Sequence, residues 1–332
     1  MVDLSIIIVS WNVRDLLARC LDSIAEDLGR PAAGGVPLDY EVIVVDNGSV
    51  DGSIDMLRES FPWVRLVVNE RNAGFTRANN QGLALSRGRH LLLLNPDTEI
   101  LGDALQRMVH YLDAHPEVGI LGPQLLHPDG RVQSSRRRFP AYATGFVEST
   151  ILQRWLPRHP LLRRYYVEDV DDGQTQEVDW VVGACMMIRR RAFEEVGPLD
   201  ERFFMYSEEL DYAHRLKGVG WRVVYLPEAR VIHHEAGSSG QVAAQRLILF
   251  HTSKVQFYEK AFGRRRATWL RRFLLASFAF QWLEEGLRWT LGHRRALRRQ
   301  RMRAYCQALR SGLRPARVRA PDPPGGERCA SA

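Results

Sequence analysis

Two acidic loops follow two apolar runs: Asp46-Asn47-Gly48-Ser49 after residues 41–45, and Asn95-Pro96-Asp97-Thr98 after residues 90–94. If those runs are parallel strands, each loop sets a carboxylate at the carboxyl edge of a sheet, where open α/β sheets bind ligands. A carboxylate there can hold a ribose, a base edge or a divalent cation bridged to phosphates. Ser10-Trp11-Asn12 ends the first apolar run in the same manner. Turn and helix-cap roles use the same residue types one motif at a time. Three such ends in chain order imply a nucleotide laid across the sheet edge. Asp97 is the metal candidate, and Asn95 can donate to a phosphate or ribose from the same loop.

Residues 69–82 read NERNAGFTRANNQG, with Gly74 where backbone can approach a ligand closely and Asn72, Asn79 and Asn80 as amide donors and acceptors. Neither GxGxxG nor GxxxxGK[ST] occurs, which argues against a nicotinamide dehydrogenase and a P-loop NTPase.

Glu208, Glu209 and Asp211 fall within one helical turn beside Phe203, Phe204 and Tyr206. Like charges this close, next to apolar rings, raise at least one proton affinity, as a general base requires. A solvated acidic helix start has the same composition. His233-His234 adds a possible nitrogen ligand for the cation at Asp97.

The elements that must position these groups alternate in the first half between apolar strand-like runs and helix-period runs. Strands are expected at residues 4–9, 41–45, 65–68 and 90–94, and helices at 13–24, 53–59, 75–86 and 102–115, with a Gly/Pro-rich loop at 29–37. The pattern predicts a three-layer α/β domain. Past Gly122-Pro123, residues 133–139 are polar and arginine-containing and 168–172 acidic and irregular. Segments 178–182 and 185–188 read as mixed strands joining the first sheet. A turn at 197–200, a helix at 208–218 and a strand pair at 222–226 and 230–233 follow, then helix from residue 245, with a frayed end from Arg314.

The chain has 332 residues, 45% of them hydrophobic, enough for a sizeable core. Cys20, Cys185, Cys306 and Cys329 form no CxxC pair, which fits a reducing compartment, and no signal-peptide pattern opens the sequence. Charge is unevenly placed. Residues 263–319 hold 16 Arg against Glu284 and Glu285 (16 − 2 = +14), whereas residues 1–262 hold 29 basic and 35 acidic side chains (29 − 35 = −6). A nucleic-acid enzyme places such charge beside its groove, so the asymmetry points to an anionic surface met by one end of the protein.

The series VSWN, DNGSVDGS, NAGFTRANNQG, LLLLNPDTEI, GACMMIRR, FFMYSEELDYAHR and VIHHEAGSS resembles the inverting family-two glycosyltransferases of the GT-A fold, particularly their bacterial rhamnosyltransferase-like branch. The resemblance spans about residues 3–260. It implies that Ser10, Trp11, Asn12 and Asp46 hold the base and ribose, and that Asn72, Gly74, Phe75 and Asn80 complete that pocket. Asp97 matches the last carboxylate of the family's DXD motif. Asn95 replaces the first, which leaves one acidic ligand and gives His233 more weight as the second. Glu209 matches the base, with Glu208 and Asp211 as neighbours able to share the role or bind acceptor. Mn²⁺ or Mg²⁺ is the implied cofactor. The implied donor is dTDP-L-rhamnose or a UDP-sugar, and the implied acceptor a lipid-linked or cell-envelope glycan. A nucleotidyltransferase and a non-catalytic sugar-binding protein are the alternatives, the former disfavoured by the lack of a basic triphosphate loop near residues 4–12.

These readings divide the chain into a GT-A domain at 1–262, a basic amphipathic helical tail at 263–319 and a disordered end at 320–332. The tail's apolar run at 273–283 is too short to span a bilayer. Trp269, Phe273, Phe280, Trp282 and Trp289 are expected at the headgroup boundary of the inner face of the cell membrane, with a cytoplasmic enzyme above. Arg136, Arg137 and Arg138 are candidates for a lipid diphosphate or a solvated basic loop.

Overall fold

A computed structural model describes residues 2–30, 37–235, 243–292 and 294–315. The elements in chain order are β1 (Leu4–Ser10), α1 (Arg14–Gly29), β2 (Tyr40–Asp46), α2 (Ser53–Ser60), β3 (Arg65–Val68), α3 (Phe75–Leu85), β4 (His90–Leu94), β5 (Thr98–Leu101) and α4 (Ala104–Ala114). There follow β6 (Val118–Leu126), β7 (Arg136–Arg137), α5 (Thr144–Val147), α6 (Ile151–Trp155), α7 (Pro160–Tyr165), β8 (Gln176–Val178), β9 (Trp180–Val181) and β10 (Cys185–Arg189). The chain continues through α8 (Arg190–Val196), α9 (Glu208–Gly218), β11 (Arg222–His233), α10 (Ala243–Phe262), α11 (Arg264–Thr290) and α12 (Arg295–Ser311).

The main sheet runs β3-β2-β1-β4-β10-β6-β11-β5, with β8 added to β11. Strands β3, β2, β1 and β4 are mutually parallel, so their carboxyl ends share one edge. Strand β10 runs against β4, with Cys185 opposite Leu94, so the chain enters β10 from that same edge.

The strands read as apolar runs because both faces are covered. Leu4, Ile6 and Ile8 pack with Leu17, Leu21 and Ile24 of α1 and Leu105, Met108 and Leu112 of α4. Ile7, Leu91, Leu93, Met186 and Ile188 face the opposite layer, with Leu210, Tyr212 and Leu216 of α9. The three-layer α/β expectation holds.

Strand β6, central to the sheet, is not anticipated by the sequence pattern because Gly119, Gly122 and Pro123 interrupt it. The glycines are there for close approach: a Cβ on Gly122 would lie 2.8 Å from Val181 Cβ, and one on Gly119 2.9 Å from Trp221 Cβ. Pro123 lies opposite Leu226, beside the irregularity between Leu226 and Arg230, a place that tolerates a missing donor. Residues 222–226 and 230–233, expected as a strand pair, are one strand through that irregularity. Of the strands expected at 178–182 and 185–188, only the second enters the main sheet between existing strands. Strand β9 pairs β7 in a separate two-stranded ribbon.

The arginine-rich region is not a detached appendage. Leu270, Leu274 and Phe278, at helical spacing on α11, join Val255, Phe257 and Tyr258 of α10 and Ala308 of α12 in the second core cluster. Glu285 is buried and paired with Arg298 at 2.7 Å and Arg301 at 3.2 Å, which ties α11 to α12. The expected break at residue 263 is therefore a helix boundary at Gly263 and not a core boundary. No helix among the described residues is long and apolar enough to cross a membrane. Residues 31–36 of the expected loop, residues 236–239 of the VIHHEAGSS motif, the 320–332 segment and Cys329 lie outside the described residues, and Cys20, Cys185 and Cys306 are free thiols.

Candidate active site

A cavity of about 280 Å³ opens at the shared strand edge, lined among others by Trp11, Asn47, Asn72, Phe75, Asn95 and Asp97. Gly183, Tyr206, Glu208, Glu209, His233 and Arg246 also line it. It thus brings together Trp11, Asn72, Phe75, Asn95, Asp97, Glu208, Glu209 and His233 from the sequence-derived set.

The side of the cavity that carries Asp97 is set by strand register. In the antiparallel pairing of β5 and β11, His233 stands opposite Thr98, and the His234 N–H donates to the Asp97 carbonyl at 2.9 Å. His233 Nε2 consequently faces Asp97 Oδ1 at 3.5 Å, both side chains being nearly buried. His234 turns the other way, with its Nε2 at 2.7 Å from Glu99 Oε1, so His233 and not His234 shares the cavity with Asp97. Among the described residues no group of three or more His, Cys, Asp and Glu side chains gathers here.

The opposite wall is the start of α9. Tyr206 and Ser207 both adopt left-handed backbone, φ 70° and 65°, uncommon for two successive residues with side chains. The Ser253 hydroxyl donates to the Met205 carbonyl at 2.7 Å and helps hold this turn, which delivers Glu208 and Glu209 into the cavity. Gly183 leaves room beside them: a Cβ there would lie 3.4 Å from Glu209 Cβ.

Oε2 of each glutamate is buried without a hydrogen-bond partner. Burial, and then the charge of Glu209, pushes the Glu208 carboxyl well above the usual range. Burial also raises Glu209, opposed by backbone N–H groups at the helix start and by the Arg137 guanidinium. Burial thus raises the proton affinity of both carboxyls, and the charge of one disfavours ionisation of the other.

Several predicted residues serve the loops instead of lining the cavity. Asp46 Oδ1 accepts from the Gly48 and Ser49 N–H groups at 3.1 and 2.8 Å, an Asx turn, while its Oδ2 stays buried and unpaired. Asn47 lines the cavity instead. It donates through Nδ2 to Asn72 Oδ1 at 3.0 Å and accepts at Oδ1 from the Ala73 N–H at 3.0 Å, joining the β2 and β3 loops. Asn12 accepts from the Val50 N–H at 2.8 Å, and the Ser10 hydroxyl is buried against the sheet. Gly74 has φ 95°, and a Cβ there would meet the Phe204 ring at 2.8 Å. Asn80 grips the Leu199 backbone through both amide atoms, at 2.9 and 3.0 Å.

Asp211 also lies off the cavity wall. It is buried and paired with Arg215 at 3.0 Å and Lys260 at 2.6 Å, so its carboxylate anchors α9 to α10 and is not placed to act as a base. The basic triplet is likewise spent on structure. Arg136 donates to the Val170 and Asp171 carbonyls, Arg138 pairs with Asp169 at 2.9 Å, and the Arg137 guanidinium sits 4.6 Å from the Tyr166 ring centre. The triplet as a lipid-diphosphate site does not survive these contacts.

Sequence reasoning missed Arg246 on α10, which lines the cavity with an exposed guanidinium, because nothing in a helical arginine marks it as facing a site.

An open mixed sheet with a cavity at its strand edge, an Asp–His pair on one wall and a buried glutamate pair on the other defines a sugar-transferring enzyme of the GT-A fold. Residues 5–197 match the model for glycosyl transferase family 2, and the chain belongs to that family. It is 31% identical over 327 residues to the N-acetylglucosaminyl-diphospho-decaprenol L-rhamnosyltransferase of Mycobacterium tuberculosis, covering 95% of this chain and 96% of that one. The mannosyltransferase PcManGT from Pyrobaculum calidifontis, solved with GDP-Man and Mn²⁺, superposes with a TM-score of 0.53 at 18% identity, over 93% of this chain and 86% of that one. GalNAc-T7, solved with UDP, GalNAc and Mn²⁺, gives 0.55 at 16% identity, over 78% and 48%. These two likenesses bear on the fold.

Proposed function

We propose that this glycosyltransferase moves L-rhamnose from dTDP-L-rhamnose to a hydroxyl of a lipid-linked, diphosphate-bearing glycan, with inversion at the anomeric carbon. The observation that carries the chemistry is the placement of Asp97 with His233 and of Glu209 on facing walls of one cavity. The near full-length similarity to the mycobacterial rhamnosyltransferase supports the choice of donor and acceptor. A UDP-sugar donor uses the same kind of site and is the second reading.

Glu209, a carboxylate whose proton affinity burial raises, takes the proton of the acceptor hydroxyl as its oxygen attacks the anomeric carbon. The attack comes from the face opposite the diphosphate, so the configuration inverts. Glu208 stands beside it to bind the acceptor or share the role. Trp11, Asn47, Asn72 and Phe75 surround the nucleoside, and Arg246 supplies positive charge toward the diphosphate.

Asp97 and His233 offer one carboxylate and one imidazole, a donor set that would hold a divalent cation beside a bound diphosphate. The nitrogen favours Mn²⁺ over Mg²⁺. Bound there, the cation supplies charge neutralisation for the departing diphosphate. The setting is a cytoplasmic enzyme held peripherally on the inner face of the cell membrane, where a lipid-linked acceptor is presented.

The test is turnover of a nucleotide-sugar panel with Mn²⁺ and a polyprenyl-diphosphate N-acetylglucosamine acceptor. Rhamnosyl transfer from dTDP-L-rhamnose above all other donors is expected. A preference for a UDP-sugar would replace the donor assignment, and no transfer from any donor to this acceptor would sink the acceptor assignment.

A further inference from the structure

The inner side of α11 is buried, and its outer side is apolar. Phe280, Leu283, Leu287 and Leu291 recur at helical spacing and are 49%, 62%, 65% and 75% exposed. Trp155 and Leu156, at the end of α6, are 56% and 50% exposed and extend the same face: the Trp155 ring meets that of Phe280 edge-on with centres 6.0 Å apart. Arg154 pairs with Glu284 at 2.8 Å and locks α6 to α11. Arg288 pairs with the same carboxylate at 2.6 Å, so the acidic side chain at this face is neutralised twice.

Exposed aliphatic and aromatic side chains gathered this way are costly in water and mark a surface that meets another apolar phase. Its rim is cationic. Arg158, two residues past Leu156, and Arg294 and Arg295, just past Leu291, are exposed, and Arg272 stacks at 5.6 Å over Trp269 near the start of α11. An amphipathic helix with leucine, phenylalanine and tryptophan on its free face and arginine alongside is the composition that adsorbs to an anionic bilayer.

We propose that the outer face of α6 and α11 docks the enzyme onto an anionic lipid bilayer, with Trp155, Leu156, Phe280, Leu283, Leu287 and Leu291 entering the headgroup boundary. This deepens the reading of a lipid-linked acceptor and rests on it for the choice of partner. Of the five residues expected at the headgroup boundary, Trp269, Phe280 and Trp282 are exposed, whereas Phe273 and Trp289 are half-buried, Phe273 lying against Phe146 at 5.1 Å between ring centres; the leucines and the α6 residues add to the exposed area. Removing the chain beyond Gly263 would also remove core residues, so the test uses the full chain.

Full-length protein is floated with vesicles of phosphatidylcholine and phosphatidylglycerol, without donor or acceptor. The wild type should float with them, less so at high salt or with phosphatidylcholine alone. The double substitution Leu283→Glu and Leu287→Glu should weaken partition by roughly tenfold or more. It should leave circular dichroism and transfer to a soluble acceptor analogue unchanged, since both side chains are exposed. Arg294→Glu with Arg295→Glu should weaken partition only on the anionic vesicles. Wild-type protein that stays at the bottom of the gradient, or a leucine variant that floats as well as the wild type, would overturn the proposal. So would a leucine variant that only converts a dimer to monomers, which would make the face a contact between two copies. Vesicle binding without any transfer to a lipid-linked acceptor would instead overturn the acceptor assignment and leave the docking surface standing.

Discussion

Gln133 accepts the Nδ1–H of His233 through its Oε1 at 3.0 Å. The amide orientation follows from its other contacts: Nε2 faces two acceptors, the His233 carbonyl at 2.6 Å and His127 Nδ1 at 3.2 Å. Oε1 is then the atom left for the imidazole, which must carry its proton on Nδ1. With Nδ1 held by Gln133, Nε2 is the ring nitrogen turned toward Asp97 at 3.5 Å and the one placed to ligate a metal.

Gln133→Leu should therefore loosen the imidazole and weaken Mn²⁺ affinity by about 10- to 100-fold. Mn²⁺ titration followed by electron paramagnetic resonance in the presence of the donor nucleotide reads this directly, and saturating Mn²⁺ should restore much of the activity. Unchanged affinity would mean that His233 does not ligate.

Asp97 contributes the carboxylate of that pair. Asp97→Ala should lower turnover by roughly 100-fold or more while the fold survives, and EDTA should silence the wild type. Near-normal activity in either experiment would remove the metal from the account.

The glutamate pair makes opposite predictions for its two members. Glu209→Gln should depress kcat by about 10² to 10⁴ with donor affinity little changed, because the amide cannot accept the proton. Glu208→Gln should cost far less, since it keeps the size and hydrogen-bonding capacity of a neighbour whose own proton affinity burial raises. With Glu209 as the proposed base, whose carboxyl burial raises, the rate should climb with pH along a limb lying above the ordinary glutamate range. Arg137→Gln removes a cation that favours the carboxylate and should shift that limb to higher pH. A limb that stays put in Arg137→Gln, or a dead Glu208→Gln beside an active Glu209→Gln, would move the base.

The reach of the sequence differs from element to element. Strands β1, β2 and β4 are legible because a strand covered on both faces is apolar throughout, and their polar ends stand out against that background. Strand β6 is hidden because what it needs at residues 119 and 122 is space, and glycine reads as a break. The Asp97–His233 meeting depends on the register of β11 against β5, a long-range pairing that neither local motif encodes. Glu208 and Asp211 look equivalent in a list of carboxylates. Only the partners of Asp211, Arg215 on its own helix and Lys260 on α10, show that it is bound elsewhere.

Away from the site, Asp27 offers a check on the core. Its Oδ2 accepts from the Leu105 N–H at 3.0 Å at the start of α4, its Oδ1 is buried without a partner, and burial pushes its carboxyl up to about 6. The folded state thus holds this proton more tightly than the unfolded chain, so the contribution to stability is complete below about pH 4 and is lost as pH rises through about 6. Asp27→Asn keeps an acceptor for Leu105 and abolishes the ionisation. It should unfold at higher urea than the wild type near pH 8, by on the order of 1–3 kcal/mol, and match it at about pH 4. A variant less stable at both pH values would show that the carboxylate itself is required.

Inverting transfer with Glu209 as the proposed base fixes the anomeric configuration of the product. With dTDP-β-L-rhamnose, Mn²⁺ and a polyprenyl-diphosphate N-acetylglucosamine acceptor, NMR of the product should show an α-linked rhamnosyl residue. That product should form in the wild type and fall by at least about 100-fold in Glu209→Gln. A β-linked product, or the same α-linked product at an undiminished rate in Glu209→Gln, would contradict the account.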